Sequence, residues 1–376
     1  MLLSLVVKRG VPIGSVTTQI GLKSSTILAK RSFNFSAWTS KSGGNSNSGG
    51  SSKSYSQSTS SSSTSTGSAN ASSAAASSTG LNYETAFTST LNYNIAVAYQ
   101  PKEREEKNLF KGNNNKQLSP ACQSATGEDN LFVSKLTEDG YLAVGVADGV
   151  GGWSEAGYDS SAISRELCCS IRSHFENNNQ DKSPKQLLSV AFKEITESPK
   201  VEIGGTTACI GILSPDKQLQ VANLGDSWCG VFRDFKLIHE TNFQTHNFNT
   251  PYQLSKIPRH IQRQAEMEGR RYIVDTPDLA DEYTWNLESG DLVMFATDGV
   301  TDNVIPQDIE LFLKDQLEDN TNKLEEVATR FVKEVVTVSK DHNFPSAFAQ
   351  ELSKLTGQKY LGGKEDDITV VLIQVN

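Results

Sequence analysis

The first 83 residues contain no aspartate and no glutamate, whereas Lys8, Arg9, Lys23, Lys30, Arg31, Lys41 and Lys53 supply seven positive charges among serines and threonines. A merely disordered tail has no reason to exclude acids over that length. Basic, hydroxyl-rich and acid-poor composition is instead the mark of an organelle transit peptide. We therefore expect a mitochondrial transit peptide at 1–35 and delivery to the matrix. A Ser/Gly-rich linker follows at 36–84, where "SGGNSNSGGSSKSYSQSTSSSSTSTGS" cannot bury a core, and one folded domain at 85–376. Long apolar runs are also missing. "LLSLVV" stops at Lys8 and Arg9, far short of the roughly 18 residues of a spanning helix, so no stable membrane span is expected.

No C-x-x-C pair occurs among Cys122, Cys168, Cys169, Cys209 and Cys229. An odd number in mostly apolar settings points to buried thiols in a reducing compartment, not to zinc or disulfides. No helix-opening G-x-x-x-x-G-K is present, which removes a nucleotide-binding P-loop. The formal charge is −9, and because the leader adds seven bases and no acid, the remainder carries −16. So acidic a body disfavours nucleic acid and anionic lipid as partners.

From Leu91 onward the pattern changes to short β-like runs. They fall at "LNYNIAVAY" (Leu91 to Tyr99), Asn130 to Leu136 and Leu142 to Ala147, the last two joined by the polar turn "TEDG". "SSAISRELCCSIRSHFEN" sets Ile163, Leu167, Ile171 and Phe175 at helical spacing, and "SPKQLLSVAFKEITES" opens on a Ser-Pro start signal. The stretch "TTACIGILSPDKQLQVANLGDSWCGVFRDFKLIHET" reads as three strands of an antiparallel meander, broken at "SPDK" and "RD". Sheet resumes at Leu292 to Thr297. Helical patterns fill most of Asn303 to Thr356, with Leu324, Val327, Phe331 and Val335 in one stripe, and the chain closes on "ITVVLIQV". This order predicts an α+β fold, two antiparallel sheets packed face to face with helices outside: a four-layer α-β-β-α sandwich.

The chemistry lies at strand ends. "YLAVGVADGVGGW" and "LVMFATDGV" each run an apolar strand into an Asp-Gly, delivering Asp148 and Asp298. Asp139-Gly140, in the polar "TEDG", is by contrast an ordinary hairpin turn. Glu128 and Asp129 directly precede a strand in "TGEDNLFVS", as Asp366 and Asp367 do in "KEDDITVVLI". Should those strands be neighbours, four or more carboxylates meet at one rim, where they would repel and resist ionisation. Lys and Arg near these motifs look too few to neutralise them. Carboxylates without His or Cys favour Mg²⁺ or Mn²⁺, and Gly149 would let its carbonyl approach a cation.

"GEDN", "VADGVGG", "GGTTACIGIL", "VANLGDSW", "FATDGVTDNV" and "DDITVVLI" occur in the order found in the metal-dependent protein phosphatases of the PPM/PP2C family. The resemblance runs from about Leu91 to the C-terminus and is nearest to the mitochondrial branch. It implies a β-sandwich flanked by helices, with two Mn²⁺ or Mg²⁺ ions in a cleft between the sheets. By position, Asp148 would bridge both ions, Gly149 would give its carbonyl to one, and Asp298 and Asp366 would hold one ion. Glu128 and Asp129 would act through coordinated waters, and Asp226 of "NLGDS" would help hold a weaker third ion. Asp367 stands where the family has Asn. The implied reaction is hydrolysis of phosphoserine and phosphothreonine by direct attack of a metal-bridging water, on phosphoproteins that include mitochondrial metabolic enzymes.

Two positions depart from the pattern. Ser124 stands where many relatives have an Arg that grips phosphate, and Val150 where many have a His proposed as general acid. Arg259, Arg263, Arg270 and Arg271 are alternative grips, though exposed charge is usually a solvated face. His239 and His246 lack the pattern of a metal site. Gly204, Gly205 and Thr206 read as a packing feature and not as a phosphate cradle. Two other functions stay open: a catalytically weak pseudophosphatase acting as a binding module, and a metal-dependent hydrolase of small phosphometabolites.

Overall fold

The structure is a computed structural model and describes residues 84–104, 124–177, 183–318 and 322–376. The expected transit peptide, the linker up to residue 83 and Cys122 lie outside the described residues. The strands are β1 (Glu84–Ser89), β2 (Tyr93–Gln100), β3 (Asp129–Val133), β4 (Leu142–Asp148), β5 (Gly204–Thr206), β6 (Ala208–Leu213), β7 (Gln218–Leu224) and β8 (Trp228–Arg233). They continue with β9 (Lys236–Glu240), β10 (Thr245–Asn247), β11 (Thr250–Pro251), β12 (Leu254–Lys256), β13 (Asp281–Asn286), β14 (Leu292–Ala296) and β15 (Ile368–Val375). The α-helices are α1 (Gly152–Glu155), α2 (Ser161–Asn177), α3 (Pro184–Glu197), α4 (Arg259–Met267), α5 (Asp298–Thr301), α6 (Pro306–Leu317), α7 (Leu324–Ser339) and α8 (Ala347–Thr356).

Two antiparallel sheets form the body, a six-stranded one ordered β1-β2-β15-β14-β8-β9 and a five-stranded one ordered β13-β7-β6-β4-β3. The near-continuous apolar runs have a simple cause: these strands are covered on both faces. Alternate residues Leu142, Val144 and Val146 of β4 pack between the sheets, against Ile95 and Val97 of β2, Phe295 of β14 and Val371 of β15. Ala143 and Ala147, with Ile210 and Ile212 of β6, face the other way, onto Ile163, Leu167 and Ile171 of α2 and Leu188 of α3. On the far side of the six-stranded sheet α7 lies over β2 and β15, and its Phe331 meets Phe312 of α6 edge to face at 5.1 Å. The four layers are those expected.

The expected meander is corrected. Its middle run, "QLQVANLGDSWCGVF", is two strands in different sheets: β6 and β7 form a hairpin in the five-stranded sheet, β8 and β9 one in the six-stranded sheet. The chain changes sheet at Gly225, Asp226 and Ser227, where Gly225 takes φ +106°. A run buried on both faces carries no mark of the sheet it joins. The "TEDG" turn does close a hairpin, with Gly140 at φ +86° and its N–H donated to the Thr137 carbonyl at 3.0 Å. Cys168, Cys209 and Cys229 are buried free thiols, whereas Cys169 is exposed: it lies on the solvent side of α2.

Phe295 is fully buried between the sheets, so Phe295→Ala should lower unfolding free energy by about 3–5 kcal/mol. Leu311, 46% exposed on α6, should lose no more than about 0.5 kcal/mol on the same change. Urea titrations of the two variants check this, and near-equal losses would contradict the face-to-face packing.

Candidate metal centre

Pairing of β3 with β4 sets Asp129 directly opposite Asp148. In the facing sheet β14 pairs with β15, so Asp298, just beyond β14 at the start of α5, emerges beside Asp366, just ahead of β15. Two polar contacts lace the sheets together here. Thr297 Oγ1 donates to Asp129 Oδ2 at 2.7 Å, and the Glu128 N–H to Asp367 Oδ2 at 2.7 Å. Glu128, Asp148, Gly149, Asp298 and Asp366 all line one cleft of about 220 Å³. Asp129 and Asp226 are outside that lining; Asp129 is buried, and Asp226 sits at the sheet change with its Oδ1 buried and unbonded.

Local structure fixes these carboxylates. The Asp148 carbonyl accepts from Thr207 N–H and Thr206 Oγ1, each at 2.9 Å, and its own N–H donates to Thr207 Oγ1 at 3.1 Å. Glu128 accepts from Ser160 Oγ at 2.5 Å and Arg104 Nη2 at 2.8 Å. Gly149 is tightly enclosed: a Cβ there would lie 2.6 Å from the carbonyl oxygens of Glu128 and Ser160. Its lack of a side chain is required by this backbone approach, whatever else its carbonyl does.

The expectation that bases are too few is wrong. Lys364 Nζ lies 2.8 Å from Asp298 Oδ2, in contact with Asp302 and 3.7 Å from Asp366 Oδ2. Lys102 Nζ reaches Asp366 Oδ1 at 2.8 Å, and Arg104 bridges Glu128 and Asp367. Two of these cations come from "PKER" directly after β2, far from the acidic motifs in sequence. Lys364 was in plain view two residues before Asp366, but its reach to Asp298 depends on the β14–β15 pairing.

Several carboxyls of the cluster are raised in spite of these cations. Burial, then the Asp298 charge, holds the Asp148 carboxyl well above the usual range. Burial with Asp367 does the same to Asp129, and burial with Asp298 to Asp226. Asp366 is raised by burial and Asp298 against the pull of Lys102 and Lys364. Asp298 alone goes down: burial opposes ionisation, but Lys364 outweighs it. Lys364 itself is raised, since its three carboxylate neighbours exceed the penalty of burial. Asp302, within the quoted motif "FATDGVTDNV" but not singled out there, is pushed up to about 7 by burial and Asp298.

Among the described residues no group of three or more His, Cys, Asp or Glu is set to hold a metal ion as it stands; ammonium groups stand between the acids instead. The donors nevertheless fit hard divalent cations: all are oxygens, several resist ionisation because they are buried and, after that, because they face one another, and Asp226 Oδ1 is buried without a partner. Of the other candidates only Val150 joins the cleft lining. Ser124 Oγ bonds Thr126 and Asn130, and Val150 packs on the Trp153 cluster. Arg259 and Arg263 are exposed on α4, Arg270 pairs with Glu268, and Arg271 lines a separate cavity. His239 stacks on Trp285; His246, in β10, hydrogen-bonds Asp275 and stacks on Tyr252. Gly205 meets Gln253 and Ser255, a packing contact.

A family profile described as protein phosphatase 2C matches residues 111–250. The chain is 50% identical over 290 residues to "Protein phosphatase 2C homolog 7, mitochondrial" of Saccharomyces cerevisiae, covering 76% of this chain and 82% of that one. The chain belongs to the protein phosphatase 2C family. A second relative of this phosphatase, "Protein phosphatase PTC7 homolog fig" of Drosophila simulans, is 37% identical over 66% of this chain and 77% of its own. Among solved structures, the photosystem II phosphatase PBCP superposes with a TM-score of 0.55 at 28% identity, over 66% of this chain and 92% of that one. Membership makes the chain a protein serine/threonine phosphatase with the α-β-β-α fold described above.

A carboxyl raised in the folded state favours the protonated form. The stability Asp302 contributes is therefore full below its ordinary 3.8 and is lost as pH rises through about 7. In chelator-treated phosphatase, Asp302→Asn should gain stability relative to wild type as pH rises across that window. Thermal midpoints at several pH values measure the difference; a wild type that gains on the variant with rising pH would contradict it.

Proposed function

We propose that the chain hydrolyses phosphoserine and phosphothreonine on proteins of the mitochondrial matrix, metabolic enzymes among them, with two Mn²⁺ or Mg²⁺ ions held at the cleft. The observation that carries this reading is the meeting of Asp129, Asp148, Asp298 and Asp366 from two sheets, with burial and mutual charge raising three of them. Asp148 would serve both ions, Gly149 would offer its carbonyl, Asp298 and Asp366 would hold one ion, and Glu128 and Asp129 would act through water. Asp226, with its orphaned Oδ1, would help hold a weaker third ion. When bound, such ions supply Lewis acidity toward phosphoryl oxygens and make water nucleophilic near neutral pH.

The chain's own part is to hold charge still. Thr206 and Thr207 pin the Asp148 backbone, so the carboxylate is aimed without reorganisation during the reaction. Among the described residues the cleft is lined by no Ser, Cys or His. The hydroxyls in the lining are engaged, Thr207 with the Asp148 N–H and Ser227, and Thr250 with the Phe248 carbonyl, and its carboxylates would be taken up by the ions, so water would accept the phosphoryl group without a covalent phosphoenzyme. The positive charge that meets the phosphate comes from the lysines of the lining, Lys102 and Lys364. The mitochondrial assignment is supported by the acid-free basic leader and by the location in the yeast relative's name.

Purified protein with Mn²⁺ should cleave a phosphothreonine peptide, and Asp148→Asn should lower kcat by about 10²-fold or more with the fold retained by circular dichroism. If wild type and variant are equally inert, the chain is a binding module. A preference for the phosphopeptide over small phosphometabolites of about 100-fold in kcat/KM, near 2.7 kcal/mol, assigns the substrate class; the reverse preference would overturn it. A fluorescent fusion lacking residues 1–35 should fail to enter mitochondria that the full chain enters, and unchanged import would remove the transit-peptide assignment.

A further inference from the structure

Lys364 is delivered to the cleft by a rigid support. Its N–H donates to Asn303 Oδ1 at 2.9 Å, and Asn303 Nδ2 donates to the Lys364 carbonyl at 2.8 Å, so one buried amide grips the backbone on both sides. Just before it, Gly363 passes so close to the end of α7 that a Cβ would lie 2.2 Å from the Val338 carbonyl oxygen. The ammonium lies against Asp298, Asp302 and Asp366, with Asn249 Oδ1 at 3.1 Å and the Phe348 ring centroid at 5.3 Å. Its side chain is 19% exposed and reaches the cleft lining.

An ammonium and a divalent cation cannot both occupy the oxygens of Asp298 and Asp366, because like charges at such distances repel strongly in a partly buried site. Lys364 has a flexible four-carbon stem, and Asn249, in the cleft lining, and Asp302 remain as acceptors. A phosphate dianion entering that cleft meets no charge from Ser124, whose hydroxyl is engaged with Thr126 and Asn130.

We propose, resting on the reading that divalent ions are held at Asp298 and Asp366, that Lys364 is an exchangeable counter-ion: it neutralises these acids in the metal-free protein and, once displaced from them, turns its charge to the substrate phosphate. The same side chain thereby couples ion binding to phosphate binding, since neither acid nor phosphate is left facing an unbalanced charge.

Calorimetric titration of the full chain tests this without turnover, first with Mn²⁺ and then with inorganic phosphate added to the Mn²⁺-saturated protein. Lys364→Met should bind Mn²⁺ about tenfold more tightly and inorganic phosphate about tenfold more weakly than wild type. Lys364→Arg, whose fork holds carboxylates harder, should bind Mn²⁺ more weakly and keep phosphate binding; it decides the matter if the Met variant does not fold. Unchanged Mn²⁺ affinity in either variant, or unchanged phosphate affinity in Lys364→Met, overturns the proposal alone. Failure of the wild type to take up Mn²⁺ overturns the metal-dependent reading as well.

Discussion

Carboxylates that repel one another are held together at the seam between two sheets, and the arrangement of this protein follows from keeping them there. At 4 Å, two like charges at an effective dielectric near 20 oppose each other by about 4 kcal/mol. No strand would deliver several such groups to one buried rim unless cations met them. The structure shows one answer in Lys102, Arg104 and Lys364. Burial, and after it the neighbouring acids, still raises the carboxyls of Asp129, Asp148 and Asp226.

The sandwich is what makes the seam possible. Because its strands are covered on both faces, their ends are where polar groups can emerge, and antiparallel pairing brings the beginning of one strand beside the end of the next. Asp129 thus meets Asp148 in one sheet, and Asp298 emerges near Asp366 in the other. The Thr297 to Asp129 and Glu128 to Asp367 hydrogen bonds tie the two edges. Removal of one buried partner from such a lacework leaves an unpaired charge, the more damaging of the two ways to alter an ion pair.

Much of this was legible in the residues. Period and apolar content marked most strands of the sandwich and the longer helices but not β1, β13 or α4, and the repeated strand-then-Asp-Gly pattern marked Asp148 and Asp298, with Asp139-Gly140 correctly set apart as a turn. What stayed hidden depended on contacts between distant segments. Whether "QLQVANLGDSWCGVF" was one strand or two could not be read from a run buried on every side. Nor could two of the three neutralising cations be found near the acids in sequence: Lys102 reaches Asp366 across 264 positions, and Arg104 reaches Asp367 across 263. Cys169 was misplaced because the apolar setting of Cys168 extends, on a helix, to only one of two adjacent residues.

The most direct test of the central claim is the anomalous scattering of crystals grown or soaked with Mn²⁺. The account predicts Mn²⁺ density between the two sheet edges, in contact with Asp148, Asp298 and Asp366, and the Lys364 ammonium moved off Asp298. Crystals saturated with Mn²⁺ that show no density at the seam, with Lys364 still bonded to Asp298, would contradict it.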